Sequence, residues 1–145
     1  MADSTAVVVV GVDGSQHSVD ALRWALRQAQ LAGGTVRAVS TWRWPNYVTR
    51  IPPGVDLEAD TSRMLADTVS SVVSEFPGID VVQHVVKGPP GPALLSQSEG
   101  ATLLVVGARG RAAFPGMLLG SVAEYCVRNG PCPVVVVRTL DDTPT

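Results

Sequence analysis

Hydrophobic residues form three short, unbroken runs along this chain, at Val7 to Val10, Leu103 to Val106 and Val134 to Val137, and two further valine-rich runs are broken by polar residues. Between these runs, apolar residues recur every three or four positions. A solid run of valines, rather than an alternation of apolar and polar residues, is typical of a parallel strand covered on both faces. We therefore predict five strands, from Val7 to Val12, Val36 to Thr41, Val81 to Val86, Thr102 to Val106 and Pro133 to Arg138.

Helical spacing fills the intervals between these strands. The first helix is predicted to follow Asp13-Gly14-Ser15, where Ser15 or Asp13 can cap it, and to end at Gly33-Gly34. The alternation of strands and helices predicts an α/β fold, a doubly wound, Rossmann-like parallel sheet with helices on both faces. The remaining predicted helices run from Leu57 to Phe76, Ala93 to Glu99 and Leu118 to Arg128, the last stopped by Asn129-Gly130 in the left-handed conformation.

Composition narrows the class of protein. The 145 residues are 46% hydrophobic, which predicts a single domain over 1–145, with 141–145 as an unstructured tail. The formal net charge is −2 and the basic residues are scattered, which argues against a nucleic-acid partner. We find no basic leader and no apolar run longer than a strand, so we expect no signal peptide, no membrane span and a cytoplasmic location. Cys126 and Cys132 lack metal-site spacing and are predicted to be buried, reduced thiols.

The clearest chemistry follows the fourth predicted strand. Gly107, Gly110, Gly120 and Ser121 stand in a G-x2-G-x9-G-S spacing between that strand and the last helix. Glycines leave backbone N–H groups unshielded and a helix N-terminus carries partial positive charge, so this segment favours a phosphate. The spacing is neither that of a Walker loop nor that of a dinucleotide fingerprint. Simple turn glycines are the alternative, which the full spacing makes less attractive.

A second polar segment is expected beside this loop. In a doubly wound sheet, ligands bind beyond the carboxyl ends of the strands where the winding reverses. If the first and fourth strands are neighbours there, Asp13 faces the Gly107 loop across one crevice, which suits a nucleotide. The Asp13 carboxylate can contact the nucleotide, cap the first helix, or do both.

Several other side chains leave alternatives open. Arg109 and Arg111 are either phosphate clamps or solvated loop residues. His17 and His84 have no catalytic constellation around them, so we assign neither a catalytic role. The aromatic residues Trp42, Trp44 and Tyr47 begin the long loop from Arg43 to Asp56 and are predicted to pack under it, a lid being the alternative. The last strand, from Val134 to Val137, is either an ordinary core strand or an edge that pairs with a second subunit.

Three segments together resemble the universal stress protein family over essentially the whole chain. They read VVVVGVDGS, VKGPPGPALL and GARGRAAFPGMLLGSVAEYCVRNGPCPVVVVR. The G-x2-G-x9-G-[ST] element is that family's ATP-binding signature. The resemblance implies the strand order 3-2-1-4-5, ATP or a related adenine nucleotide as ligand, and a homodimer through the last strand. Pro115 lies inside the spacer and predicts a changed affinity rather than lost binding.

The resemblance also implies roles for individual residues. Gly107, Gly110, Gly120 and Ser121 would hold the phosphates and ribose, with the Val122 amide and Arg109 nearby. Asp13 would contact the nucleotide or its Mg²⁺ ion. The adenine slot would be lined by Gly11 and Val12 and by Val39 to Thr41. ATP is the expected ligand, and AMP and cyclic AMP stay open.

The leading hypothesis is a nucleotide-binding protein with a regulatory or stress-protective role, because the binding motif comes without a catalytic set. Fast phosphoryl transfer needs neutralising cations and a group that orients the nucleophile, and only Asp13 stands out. The first alternative is a slow ATPase or nucleotidyl-transfer enzyme that uses Asp13 with Arg109 or Arg111. The second is a nucleotide-free structural homodimer.

Overall fold

A computed structural model describes residues 5–111 and 114–139. Strands and helices alternate as predicted. The five strands form one sheet in the order β3-β2-β1-β4-β5, and every neighbouring pair is parallel. This confirms the predicted fold class and strand order. The elements are β1 (Val7–Gly11), α1 (Gln16–Ala32), β2 (Thr35–Trp42), α2 (Leu57–Val73), β3 (Val81–Lys87), α3 (Pro90–Gln97), β4 (Leu103–Gly107), α4 (Ser121–Asn129) and β5 (Val134–Val137).

The valine runs are solid because both faces of the sheet are covered. On β1, Val8 and Val10 pack against residues of α1 and α2, whereas Val9 packs with residues of α3 and α4 on the other face. Successive side chains of a strand point to opposite faces, so a strand between two helical layers needs apolar residues at every position. The helices therefore lie on both faces, as predicted.

The ends of α1 follow from its sequence. The Ser15 side chain accepts a hydrogen bond from the Ser18 amide, so Ser15 is the N-cap and Asp13 is not. Gly33 closes the helix in the left-handed conformation, with φ 68°. Only glycine adopts that conformation at little cost, which explains why the Gly33-Gly34 pair stops the helix.

The three other helices differ from the prediction at their ends. Helix α2 ends at Val73, three residues before the predicted Phe76. Helix α3 begins at Pro90, three residues before the predicted start, because proline is well accommodated in the first turn. It also ends at Gln97, before the predicted Glu99. Helix α4 begins at Ser121 rather than Leu118, so the glycine loop is longer than expected.

The predicted left-handed stop at Asn129-Gly130 is wrong. Gly130 has φ −61° and ψ 139°, an extended conformation. Pro131 follows, and the residue before a proline is driven toward extended backbone. Glycine is needed here for space, since a Cβ would lie 2.8 Å from the Cys126 carbonyl oxygen and 2.7 Å from Val134 Cγ2.

Three smaller predictions have mixed outcomes. Tyr47 is 84% exposed, so the prediction that it packs under the long loop is wrong, whereas Trp42 and Trp44 are half-buried. Both cysteines are free thiols, but only Cys126 is buried and Cys132 is half-exposed. The predicted tail, 141–145, lies outside the described residues. No helix in the described ranges is both long and apolar enough to span a bilayer.

Candidate nucleotide site

A cleft opens at the carboxyl edge of the sheet, where β1 and β4 are neighbours and the winding of the chain reverses. Its volume is about 370 Å³, within the range of small-molecule sites. Ser40, which the predicted adenine slot also included, is buried and does not line the cleft. The other residues predicted from the sequence to bind a nucleotide do line it: Gly11, Val12, Asp13, Val39, Thr41, Gly107, Arg109, Gly110, Gly120, Ser121 and Val122.

The floor of the cleft is held by short bonds between the ends of β1 and β2. The Val12 amide donates to the Val39 carbonyl over 2.8 Å. The buried Ser40 hydroxyl donates to the Val12 carbonyl over 2.6 Å. These bonds fix the backbone on which the apolar surfaces of Val12 and Val39 are presented to the cleft.

The signature glycines are required by close contacts rather than by unusual dihedral angles. Gly107, Gly110 and Gly120 are absent from the positive-φ residues of the described chain. A Cβ on Gly107 would lie 2.9 Å from three His17 atoms, two of them backbone. A Cβ on Gly120 would lie 3.3 Å from Arg109 Cα. The glycines thus let β4, the loop and the start of α1 approach closely.

Asp13 connects the two loops that border the cleft. Its Oδ1 accepts hydrogen bonds from the Ser15 amide, at 2.9 Å, and from the Ser15 hydroxyl, at 2.5 Å. Its Oδ2 accepts from the backbone amide of Arg111, 98 residues along the chain, at 3.1 Å. The carboxylate therefore holds the β1–α1 turn and the glycine loop together.

The N-terminus of α4 borders the cleft without a side-chain cap. Gly120 occupies the N-cap position, and no side chain there accepts a hydrogen bond from the first turn. The first amides of a helix have no intrahelical partner and carry the positive end of the helix dipole. Ser121, Val122 and Ala123 from this turn line the cleft.

Two arginines add positive charge. Arg109 is half-buried and its Nη1 lies 3.5 Å from the Met117 carbonyl oxygen, within the loop. Arg111 has an exposed side chain, but it also lines the cleft. Burial, with a smaller contribution from Arg109, lowers the pKa of His17 below 6.5. The described lining residues include two arginines and one carboxylate, a balance that favours an anionic ligand.

Metal-binding capacity in the described residues is small. No group of three or more histidine, cysteine, aspartate or glutamate side chains there can hold an ion. Mg²⁺ often binds through one or two carboxylates together with substrate phosphates and water. Asp13 Oδ2 accepts one hydrogen bond, so a lone pair is left for a cation or its water. The residues therefore fit a magnesium ion brought by phosphates.

Comparison with known proteins decides the family. A sequence model of the universal stress protein family matches residues 5–138. This chain belongs to that family. A universal stress protein of Mycobacterium tuberculosis strain H37Rv is 36% identical over 143 residues, which cover 94% of this chain and 45% of the relative. The chain thus spans less than half the length of the curated relatives it matches.

Solved universal stress proteins share the fold. One that was solved in complex with cAMP is 27% identical, with a TM-score of 0.71, and the match covers 92% of this chain and 97% of that one. Another, from Archaeoglobus fulgidus and solved in complex with dAMP, is 22% identical, with a TM-score of 0.68 and coverage of 92% and 97%. The likeness to the second protein is evidence of the fold alone.

Other cleft residues of this universal stress protein were not found by sequence reasoning. Met64 and Thr61 come from α2, and Leu94 and Pro90 come from α3. Met64 and Thr61 carry no motif and have the spacing of ordinary helix residues, whereas Pro90 and Leu94 lie in the segment VKGPPGPALL but were given no role in the site. The one available signal was the position of α3 directly after β3, since the carboxyl ends of parallel strands share one edge.

Proposed function

We propose that this universal stress protein binds an adenine nucleotide in the cleft, with ATP as the working ligand, and acts as a regulatory or stress-protective protein in the cytoplasm. The observation that carries the proposal is that every sequence-predicted residue except Ser40 lines one cleft, in which two arginines face a single carboxylate. The relative solved in complex with cAMP supports an adenine nucleotide as the ligand class.

The cleft offers different chemistry at its two ends. Apolar surfaces of Val12, Val39 and Leu94 would cover the adenine. The uncapped first turn of α4 and the Arg109 guanidinium would face the phosphates, because free amides and cations stabilise anions. Mg²⁺ bound to those phosphates would neutralise their charge, with Asp13 as the carboxylate beside it.

Binding without rapid hydrolysis is the activity that the cleft supports best. The described lining residues include a single carboxylate and no lysine. A fast phosphoryl transfer enzyme combines metal-binding and charge-neutralising groups with one that orients the nucleophile. A slow ATPase is the second candidate, favoured by the proximity of Asp13 and two arginines. Sustained release of ADP that Asp13→Ala abolishes would establish it.

We also propose that this domain forms a homodimer through β5. This strand is at the edge of the sheet and pairs with β4 on one side. Its four residues are all valines and are all half-buried. An apolar edge strand with unpaired backbone groups is a template for another strand, so a second copy would complete the sheet. Sedimentation at several concentrations would show whether Val136→Lys shifts the protein toward monomer.

The deciding experiment is to denature freshly purified protein, identify any released nucleotide by mass, and measure the melting temperature with ATP. Ligand at 100 times its dissociation constant stabilises the folded state by about 2.7 kcal/mol. If no nucleotide is released and millimolar ATP leaves the melting temperature unchanged, the nucleotide assignment is wrong.

A charge variant locates the site. Ser121→Glu places a carboxylate at the first position of α4, where the helix dipole stabilises it, so the fold should survive. The same carboxylate would repel phosphates, and we expect ATP affinity to fall by at least about 10-fold, the effect of one unfavourable charge contact of ~1.4 kcal/mol. Ser70→Glu, on an exposed part of α2 outside the cleft, is the matched control and should leave affinity unchanged.

A further inference from the structure

Asp13 has a contact that nucleotide binding does not explain. Its Oδ2 accepts a hydrogen bond from the backbone amide of Arg111, in the middle of the glycine loop. Its other oxygen, Oδ1, is already occupied by the amide and hydroxyl of Ser15. An ionised carboxylate accepts such bonds more strongly than a neutral group does. The Asp13 carboxylate therefore links the turn after β1 to the backbone of Arg111, which lies 98 residues along the chain.

The glycine signature contains a residue that makes room for this contact. A Cβ on Gly110 would lie 2.7 Å from Asp13 Oδ2, closer than any stable contact, and its next nearest neighbour would be Asp13 Cγ at 3.9 Å. Apart from its chain neighbours, an alanine at 110 would therefore crowd only the Asp13 carboxylate among the described residues. The second signature glycine is explained by the Asp13 contact, without reference to a ligand.

We propose that Asp13 is a positioning residue that holds the glycine loop in its binding conformation before a nucleotide arrives. The proposal rests on the proposed nucleotide binding for its consequence, but the contact itself exists in the free protein. A loop that is already ordered loses less conformational entropy when the ligand binds. The hydrogen bond from Arg111 to Asp13 should therefore raise the affinity for the part of the ligand that the loop contacts. That part is the phosphates, whereas adenine lies against Val12 and Val39.

One substitution separates the two ends of the contact. Asparagine has an NH2 donor in place of one carboxylate oxygen, so Asp13→Asn can accept a hydrogen bond at the position of Oδ1, facing Ser15, or of Oδ2, facing Arg111, but not at both. The Ser15 bond is a local turn between residues two apart, which asparagine readily makes. Asp13→Asn should therefore keep the bond to Ser15 and lose the bond to Arg111. Gly110→Ala should disrupt the same hydrogen bond by steric crowding of Asp13 Oδ2, and it does not change the chemistry of the carboxylate.

The first measurement is amide hydrogen exchange by NMR in the ligand-free protein. Loss of one charge-assisted hydrogen bond should accelerate exchange of the Arg111 amide by about 10- to 100-fold in both variants. The Ser15 amide should stay protected in Asp13→Asn, which also shows that the variant is folded. The control is Asp20→Asn, which removes a carboxylate of α1 that does not line the cleft. It should leave hydrogen exchange of the Arg111 amide unchanged.

The second measurement compares ATP with adenosine. Loss of the hydrogen bond between Asp13 and Arg111 should lower the affinity for ATP by up to about 10- to 100-fold. The affinity for adenosine should stay within about twofold of the wild-type value. A purely structural defect would weaken both ligands together. The proposal is overturned if hydrogen exchange of the Arg111 amide is unchanged in both variants. It is also overturned if Asp13→Asn loses as much affinity for adenosine as for ATP, because Asp13 would then contact the nucleoside itself. If wild type binds neither ligand, the proposed function fails, and the exchange data still decide the role of Asp13.

Discussion

Gly107→Ala tests whether the first glycine of the signature is needed for packing or for the ligand. The added Cβ would lie 2.9 Å from the carbonyl carbon, carbonyl oxygen and Cβ of His17, in the first turn of α1. Carbon atoms pack best at about 3.5–4.0 Å, so α1 or β4 must shift by roughly 0.6 Å. Two of the three atoms are backbone, which cannot rotate away.

The magnitude follows from two opposed effects. Overpacking of this kind costs about 1–3 kcal/mol. Replacing glycine by alanine also restricts the unfolded chain, which stabilises the folded state by about 0.4–1 kcal/mol. The net loss lies between about 0 and 2.6 kcal/mol, and its midpoint of about 1.3 kcal/mol lowers the melting temperature of a chain of this size by about 3–5 °C. Thermal unfolding in the absence of nucleotide measures it.

Gly11→Ala is the matched control, since Gly11 also lines the cleft. Its Cβ would lie 3.0 Å from Leu94 Cδ1, a side-chain methyl group that can move into the cleft space. We expect the melting temperature of that variant to stay within about 2 °C of wild type. A Gly107→Ala variant that melts like wild type but binds nucleotide poorly would refute the packing argument and assign Gly107 to the ligand.

Three further predictions concern single side chains outside the glycine signature. Ser40→Ala removes the buried hydroxyl that donates to the Val12 carbonyl, and urea unfolding should show a loss of about 1–3 kcal/mol; a loss below about 0.5 kcal/mol would show that this bond is dispensable. At pH 8 a thiol reagent should modify Cys132 well before Cys126, because burial raises the pKa of the Cys126 thiol to about 11; equal rates would contradict this. Burial lowers the pKa of His17, so the neutral ring stabilises the fold above pH 6.5 and this contribution is lost as the pH falls through the lowered folded-state pKa. His17→Gln should make the melting temperature fall less steeply below pH 6.5, and an unchanged slope would exclude His17 as a cause.

Much of the fold could be predicted because its signals are local. Solid apolar runs identified β1, β4 and β5, valine-rich segments identified β2 and β3, and Ser15 with Gly33 marked the ends of α1. The prediction failed at Gly130, where a left-handed stop was expected from the Asn-Gly pair. Pro131 and the crowding against Val134 overrode that local preference.

The candidate site was predictable to the extent that it lies in turns directly after strands. Gly107, Gly110 and Ser121 carry a recognisable spacing, and Asp13 follows β1 at once. Met64 and Leu94 gave no such signal, because a cleft residue on a helix has the same hydrophobic spacing as a core residue. Their position depends on how α2 and α3 pack.

The sequence by itself therefore determined the alternation of strands and helices and the glycine spacing that suggests a phosphate. Only the tertiary structure decided what those glycines do: Gly107 admits the backbone of His17, and Gly110 makes room for the Asp13 carboxylate. Periodicity and turn chemistry act over a few residues, so they can be read along the chain. The contact between Asp13 and Arg111 joins residues 98 apart and exists because β1 and β4 are neighbours in the sheet.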